Sequence, residues 1–402
     1  MNSSERRVLI NTCYGHFICH FNMLVFPAVV LPLVGRLGIS LSETLQISFW
    51  MYMLLGLMAL PWGAAADRWG ADPLMRIFYL GAGLSGLAAA LVIDSPSSLA
   101  LALAGLGLFS GIYHPAGMGL ISKNIRQIGF ALGVNGMFGN LGMAVAPLLA
   151  GLTTWIWGPR AVFILVGILN FGGLALTGRT EGESPAESGT LAEGNNINWL
   201  LPFTILMVAA ILGGVVYRGA TVITPVYFEL KLKILYRALT GLFGSNISPN
   251  LVATSITSLI FIVGMLGQYS GGKMADRFDP RMGYLLFSTV MVPAAFLIAW
   301  LPELPLVAMV FVYFFFLLGM QPVENTLVAR MIPQRYHHTA FGLRFILTFG
   351  VGALAVKMIG FIENNYGLEP VFIALGGFGI ALVLMVLVLI GVTRPNINEV
   401  EH

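Results

Sequence analysis

Charge is the first thing this sequence is short of. Asp, Glu, Lys and Arg together make up 10% of its 402 residues, against 57% hydrophobic side chains, and the formal net charge is only +3. So few polar side chains cannot cover a water-soluble globule of this length, and the composition is that of an integral membrane protein. No Lys/Arg cluster is interleaved with aromatics, which removes nucleic acid as a partner. Cysteine occurs only at Cys13 and Cys19. On one helix those two lie about 9 Å apart along the axis, too far to bridge, so neither a disulfide framework nor a redox motif is expected. A P-loop pattern, a His-Glu-x-x-His zinc motif and a nucleophile elbow are all absent, which leaves no nucleotide-driven motor and no recognisable hydrolase. The reading is of a protein that is not an enzyme and carries no cofactor.

What is abundant is apolar sequence in long runs. Stretches able to cross a hydrocarbon layer of about 30 Å fall near 8–35, 43–66, 73–93, 97–122, 129–157, 159–177, 200–227, 250–272, 281–301, 304–330, 338–363 and 369–393. Arg6 and Arg7 precede the first run, which has no small-residue cleavage site and reads as a retained span. Residues 178–198, rich in Gly, Ser, Asn and Glu, read as a polar linker between an N-terminal half, 1–177, and a C-terminal half, 199–402. Within 228–249, Lys231, Lys233 and Arg237 among leucines suggest a short helix lying on the membrane surface.

The halves repeat each other. Gly63-Ala64-Ala65-Ala66-Asp67-Arg68 ends the second run, and Gly272-Lys273-Met274-Ala275-Asp276-Arg277 ends the eighth. Trp157-Gly158-Pro159-Arg160-Ala161-Val162-Phe163 is echoed at the same offset by Tyr366-Gly367-Leu368-Glu369-Pro370-Val371-Phe372. A repeat in the same orientation predicts an all-α integral membrane fold of twelve transmembrane helices in two pseudo-symmetric six-helix bundles. Arg6, Arg7, Arg68, Arg76, Lys123, Arg126, Arg179, Lys273, Arg277, Arg281, Arg330, Arg335, Arg344 and Arg394 fall on the side of the N-terminus, and only Arg36, Arg160, Lys231, Lys233 and Arg237 on the other. The positive-inside rule then puts both termini in the cytoplasm of a cell whose inner (plasma) membrane holds the chain as a monomer.

These residues resemble the major facilitator superfamily, and the resemblance runs over essentially the whole chain. Gly63, Asp67, Arg68 and Gly70 match the family's Gly-x-x-x-Asp-Arg-x-Gly signature, although Ala71 and Asp72 replace its basic pair; Gly272, Asp276 and Arg277 form the second copy. The resemblance implies that Asp67, Arg68, Asp276 and Arg277 latch the cytoplasmic ends of the halves through charge-assisted bonds that open as the halves rock. Gly139 to Gly151 is similar to a relaxed form of the family's antiporter motif, while Gly107 stands where the drug-antiporter branch has an arginine. Ser110 to Gly117 looks like fosmidomycin-resistance-type members over a short stretch.

Ionisable side chains deep in a span are costly, so those present should face a wet cavity and have partners. Aligning Pro27 with Pro225 sets His20 against Arg218, and aligning Pro115 with Pro322 sets His114 against Gln321, with Glu324 close by. Thr12, His16, His20 and Met23 share one face of the first helix. In the family, helices one, four, seven and ten line the cavity, so these residues should converge. The expectation is that Arg218 pairs with Glu324 and is freed, on protonation of Glu324, for an anionic group of the solute. His16, His20 and His114 are placed as proton carriers or substrate contacts. Tyr113, Tyr217, Asn135 and Asn325 are placed as hydrogen-bonding groups beside them. With no carboxylate or thiolate cluster nearby, the histidines are not assigned a metal. Arg344 is explained by topology alone, and Lys357 is expected to snorkel outward.

The function expected is secondary active transport of a small anionic organic or amphiphilic solute, coupled to protons, by alternating access. Proton-driven export of a toxic compound is the alternative. A metal or metal-chelate carrier, or a receptor on the same fold, ranks below both.

Overall fold

The computed structural model describes residues 1–178, 199–243, 246–332 and 337–393, and among these it contains helices and no strand. The linker expected at 178–198 lies, but for Gly178, outside the described residues, as do Arg179, Arg335 and Arg394.

Among the described residues, ten helices are long and apolar enough to cross a membrane. They are Ser3–Leu37, Ala71–Leu91, Pro96–Asn124, Phe130–Trp157, Leu200–Lys231, Pro249–Arg277, Pro280–Ile298, Glu303–Met331, Ala340–Tyr366 and Glu369–Val392. A further span is the pair Leu41–Leu57 and Ala59–Trp69, bent by 45° at Met58, and the shorter apolar helix Pro159–Leu174 completes the twelve. In chain order these are the first to twelfth spans below. A helix, Lys233–Phe243, stands between the seventh and eighth spans where a surface helix was expected, with both oxygens of Glu303 accepting from its first-turn amides at Ile234 and Leu235.

Local chemistry explains where the spans begin and end. The first opens on a reciprocal cap, in which the Asn2 side chain accepts from the Glu5 amide and the Glu5 carboxylate accepts from the Asn2 amide, both at 2.8 Å. It closes on Gly38, whose φ of 64° is the left-handed conformation that ends helices. The repeat seen in sequence recurs in the backbone. Gly158 and Gly367 turn the chain between the fifth and sixth and between the eleventh and twelfth spans with φ of 82° and 87°. A Cβ on Gly63 would lie 3.6 Å from Pro115, and one on Gly272 would lie 4.0 Å from Pro322, so the second span meets the fourth as the eighth meets the tenth.

Close approach of small residues holds each half together, as expected where lipid removes the hydrophobic drive between helices. Gly107 shows why no arginine stands there: a Cβ would come within 1.9 Å of the Met51 carbonyl oxygen. Buried amides add bonds inside the first half. Asn22 donates to Ser110 at 3.1 Å and to Asn170 at 3.2 Å, and Asn170 donates back to Asn22 at 2.9 Å, tying the first, fourth and sixth spans.

The two halves join mainly at the end away from the N-terminus. There Ser42 donates to the Gly360 carbonyl at 2.7 Å, and Lys357 donates to Gln46 at 2.9 Å rather than reaching out alone. Asn250 donates to the Ala28 carbonyl and to Glu229, each at 2.8 Å, and Trp155 donates to the Asn246 carbonyl at 2.6 Å. Midway along, Gly56 sits against Gly350, so close that a Cβ on Gly56 would be 2.1 Å from the Gly350 nitrogen. Both helices are irregular at that point. The second span bends at Met58, and the eleventh passes through a π-helical turn, Ile346–Gly350, and a 3₁₀ turn, Val351–Ala353.

Candidate functional site

Beside this crossing, residues of the first, second, fourth, seventh and eleventh spans enclose a cavity of about 20 Å³. That is room for about one water molecule. Cys19, His20 and Met23 line it from the first span, His114 from the fourth, Tyr217 and Arg218 from the seventh, and Phe345 and Phe349 from the eleventh.

Arg218 is 3% exposed. Its guanidinium carbon lies 3.9 Å above the Tyr52 ring and 5.8 Å from that of Tyr217. Its Nε has no hydrogen-bond partner, and no carboxylate among the described residues pairs with it. A cation–π contact of this desolvated kind is worth about 2 kcal/mol, whereas an intramembrane arginine costs about 2.5–3.5 kcal/mol on insertion scales. The rings therefore offset much of the cost of burying the charge.

The expected Arg218–Glu324 pair is not formed. Glu324, also 3% exposed, accepts at Oε1 from Arg344 Nε at 2.6 Å and at Oε2 from the Tyr284 hydroxyl at 3.2 Å. Arg344 is 6% exposed and lies within the eleventh span, not in a loop. The correction has a plain cause: a buried carboxylate takes the nearest cation, and Arg344 sits on a helix packed beside the tenth span. A signal for it was present in the sequence. Arg344 falls inside the apolar run read as 338–363, and an ionisable residue in a span calls for a partner.

The three histidines do meet. His16 and His20 place their Nε2 atoms 3.1 Å apart, and His114 sets its ring edge-on to both, at centroid separations of 5.3 and 5.6 Å. His16 Nδ1 lies 2.9 Å from both the backbone oxygen and Oδ1 of Asn135, and its ring stacks on Tyr113 at 5.0 Å. Tyr113 in turn donates to the Thr12 carbonyl at 2.9 Å and receives the Asn135 amide at 2.8 Å. Tyr113 and Asn135 thus support the histidines from behind and do not line the cavity. Phe345 lies 4.7 Å from His114, one residue from the arginine that holds Glu324.

Other expected residues stand apart. Gln321 accepts from Gln268 at 3.0 Å, and Asn325 is exposed; neither reaches the cavity, because the tenth span turns Glu324 inward and these two away. Asp67, Arg68, Asp276 and Arg277 are exposed and form no ion pair among the described residues.

Two like six-helix halves, with a buried arginine and imidazoles gathered at a small cavity on their seam, define a membrane transporter and not an enzyme. The chain belongs to the Major Facilitator Superfamily, which it matches over residues 12–356 and 238–401. Among its relatives is the multidrug efflux pump Tap of Mycolicibacterium fortuitum, 25% identical over 84% of each chain. Another is the multidrug resistance protein MdtG of Yersinia enterocolitica, 26% identical over 66% of each. Solved structures share the fold at lower identity. A bacterial homologue of the human lysosomal transporter Spinster, inward-facing and occupied, has a TM-score of 0.73 at 16% identity, covering 97% of both chains. A POT family transporter with 5-aminolevulinic acid reaches 0.76 at 15% identity, covering 96% of both.

Proposed function

We propose that this protein moves a small anionic organic or amphiphilic solute across the cell inner membrane by alternating access, driven by protons. The observation that carries the anion is Arg218: a permanent charge beside the cavity, supported by tyrosine faces and lacking any acidic partner among the described residues. In proteoliposomes, Arg218→Ala should abolish transport of an anionic substrate while leaving the purified protein monodisperse. Wild-type rates in that variant would remove the anion from the reading.

Protons enter through Glu324, which faces one cation, Arg344, and one hydroxyl, Tyr284. Protonating Glu324 removes the charge that holds Arg344, and the helix so released is the one that presents Phe345 and Phe349 to the cavity. Charge change at one acid is thereby linked to the cavity wall. Glu324→Gln should lose uphill accumulation while keeping exchange.

With both termini in the cytoplasm, the joined end of the halves faces outward, and Asp67, Arg68, Asp276 and Arg277 lie exposed on the cytoplasmic side. A second reading, export of toxic compounds, is favoured by the names of the two efflux relatives. Right-side-out and inside-out vesicles loaded with the same organic anion separate the directions.

A further inference from the structure

The histidines carry more order than proton carriage or a loose substrate contact would need. The Asn135 backbone oxygen can only accept, so His16 must donate from Nδ1. Its Nε2 is then a bare lone pair aimed at His20. Metal-binding histidines are fixed in this way, with the remote N–H held by a carbonyl. Two nitrogens on a tetrahedral metal, each at about 2.05 Å, are about 3.3 Å apart, and the His16 and His20 Nε2 atoms stand at 3.1 Å. The candidate ligand atoms of His16, His20 and His114 all lie within 4.8 Å of one another. A side-chain adjustment of roughly 1.5 Å at His114 closes the set.

We propose that His16, His20 and His114 bind one divalent transition metal of the zinc class through their imidazoles, leaving a fourth position open to the cavity. Uncharged nitrogen donors favour zinc, copper, nickel or cobalt over magnesium or calcium, which take oxygen. Binding needs no net proton release: His20, whose Nε2–H serves the His16 lone pair in the empty site, carries its proton on Nδ1 once Nε2 holds the metal. The surroundings define the fourth ligand. Arg218 and Tyr217 face the site from the seventh span and Phe345 and Phe349 from the eleventh, with Cys19 on the first and no carboxylate among the cavity residues. A bare dication would be repelled by Arg218, so the metal's remaining ligand is an anion that pairs with the guanidinium. Resting on the anion reading above, this makes the carried solute a metal-coordinating anion.

The test uses the tag-free, full-length protein in nanodiscs, titrated with Co²⁺ and followed by visible absorption and equilibrium dialysis. The expected result is one Co²⁺ per chain with the intense bands of a tetrahedral site, and at least a tenfold loss of affinity in His20→Ala and in His114→Ala. Azide should shift the bands, and Arg218→Met should weaken azide binding while retaining Co²⁺. Circular dichroism and size exclusion check that the variants fold. Absence of saturable binding, or equal binding by the His16→Ala/His20→Ala/His114→Ala triple variant, would overturn the metal site. Because binding is read without transport, that failure leaves the role of Arg218 to its own assay; Co²⁺ binding without an azide shift would overturn the open position.

Discussion

Adding one methyl group at Gly56 should change which conformation the protein prefers. A Cβ there would stand 2.1 Å from the Gly350 nitrogen and 2.5 Å from its Cα, across the boundary between the halves. Carbon atoms pack at about 3.5–4.0 Å, so the second and eleventh spans must part by roughly 1.5 Å. Overpacking of this kind costs about 1–3 kcal/mol, and here it falls only on the state in which those spans touch. An equilibrium between joined and parted ends of these two spans should move about 5- to 150-fold toward the parted one. Spin labels at exposed positions Glu43 and Asn365, on the second and eleventh spans, would report it as a longer distance by pulsed electron resonance. The two native cysteines are buried and should not label. Gly271→Ala is the control, because its Cβ would meet the Gly319 carbonyl oxygen at 1.9 Å inside one half. That variant should lose stability without changing the label distance. If Gly56→Ala leaves the distance distribution as it was, the labelled ends are not governed by this crossing and the reasoning fails.

Removing one member of the Glu324–Arg344 pair should be far worse than removing both. Arg344→Met strands a buried carboxylate and should cost about 3–5 kcal/mol, and the Glu324→Leu/Arg344→Met double variant should recover much of that in denaturant unfolding; additive losses would mean the pair is not coupled. Asn135→Ala removes the side-chain acceptor of both His16 and Tyr113 while the backbone acceptor stays, and should weaken Co²⁺ binding about 10- to 100-fold. At the loop between the third and fourth spans, Arg36 and then Arg160 hold the Asp94 carboxyl below the usual range, chiefly through hydrogen bonds from Arg36. A depressed carboxylate stabilises above its unfolded value, and the benefit disappears as pH falls through the folded one. Thermal stability should therefore drop on acidification in the wild type and show a smaller acid dependence in Asp94→Asn, with the difference reduced by salt.

The spans and the repeat were legible because lipid imposes long apolar runs and because both halves reuse the same turns, at Gly158 and Gly367. That His20, His114 and Arg218 share a cavity was anticipated from the resemblance, whose family lines its cavity with the first, fourth, seventh and tenth helices; the proline alignment that chose His114 also chose Gln321, which lies elsewhere. The partner of Arg344 could not be anticipated, although its place in an apolar run called for one. Arg344 lies close in sequence to the basic residues of a loop, and only packing against the tenth and ninth spans shows that it meets Glu324 and Tyr284. Asn22 and Asn170 were equally silent, because a single amide in an apolar run carries no sign of its partner far along the chain. The bend at Met58 and the π turn left no mark in hydropathy, which is blind to hydrogen-bond register.

That π turn has a mechanical meaning. Each residue of an α-helix advances the chain by about 100° and 1.5 Å, so annealing the wide turn to ordinary helix would screw everything beyond it around by about that amount. Lys357 and Gly360, which now hold Gln46 and Ser42, ride on that segment and would be swung off their partners together. A one-residue slip in the backbone ladder would thus act as a ratchet that unfastens the seam between the second and eleventh spans.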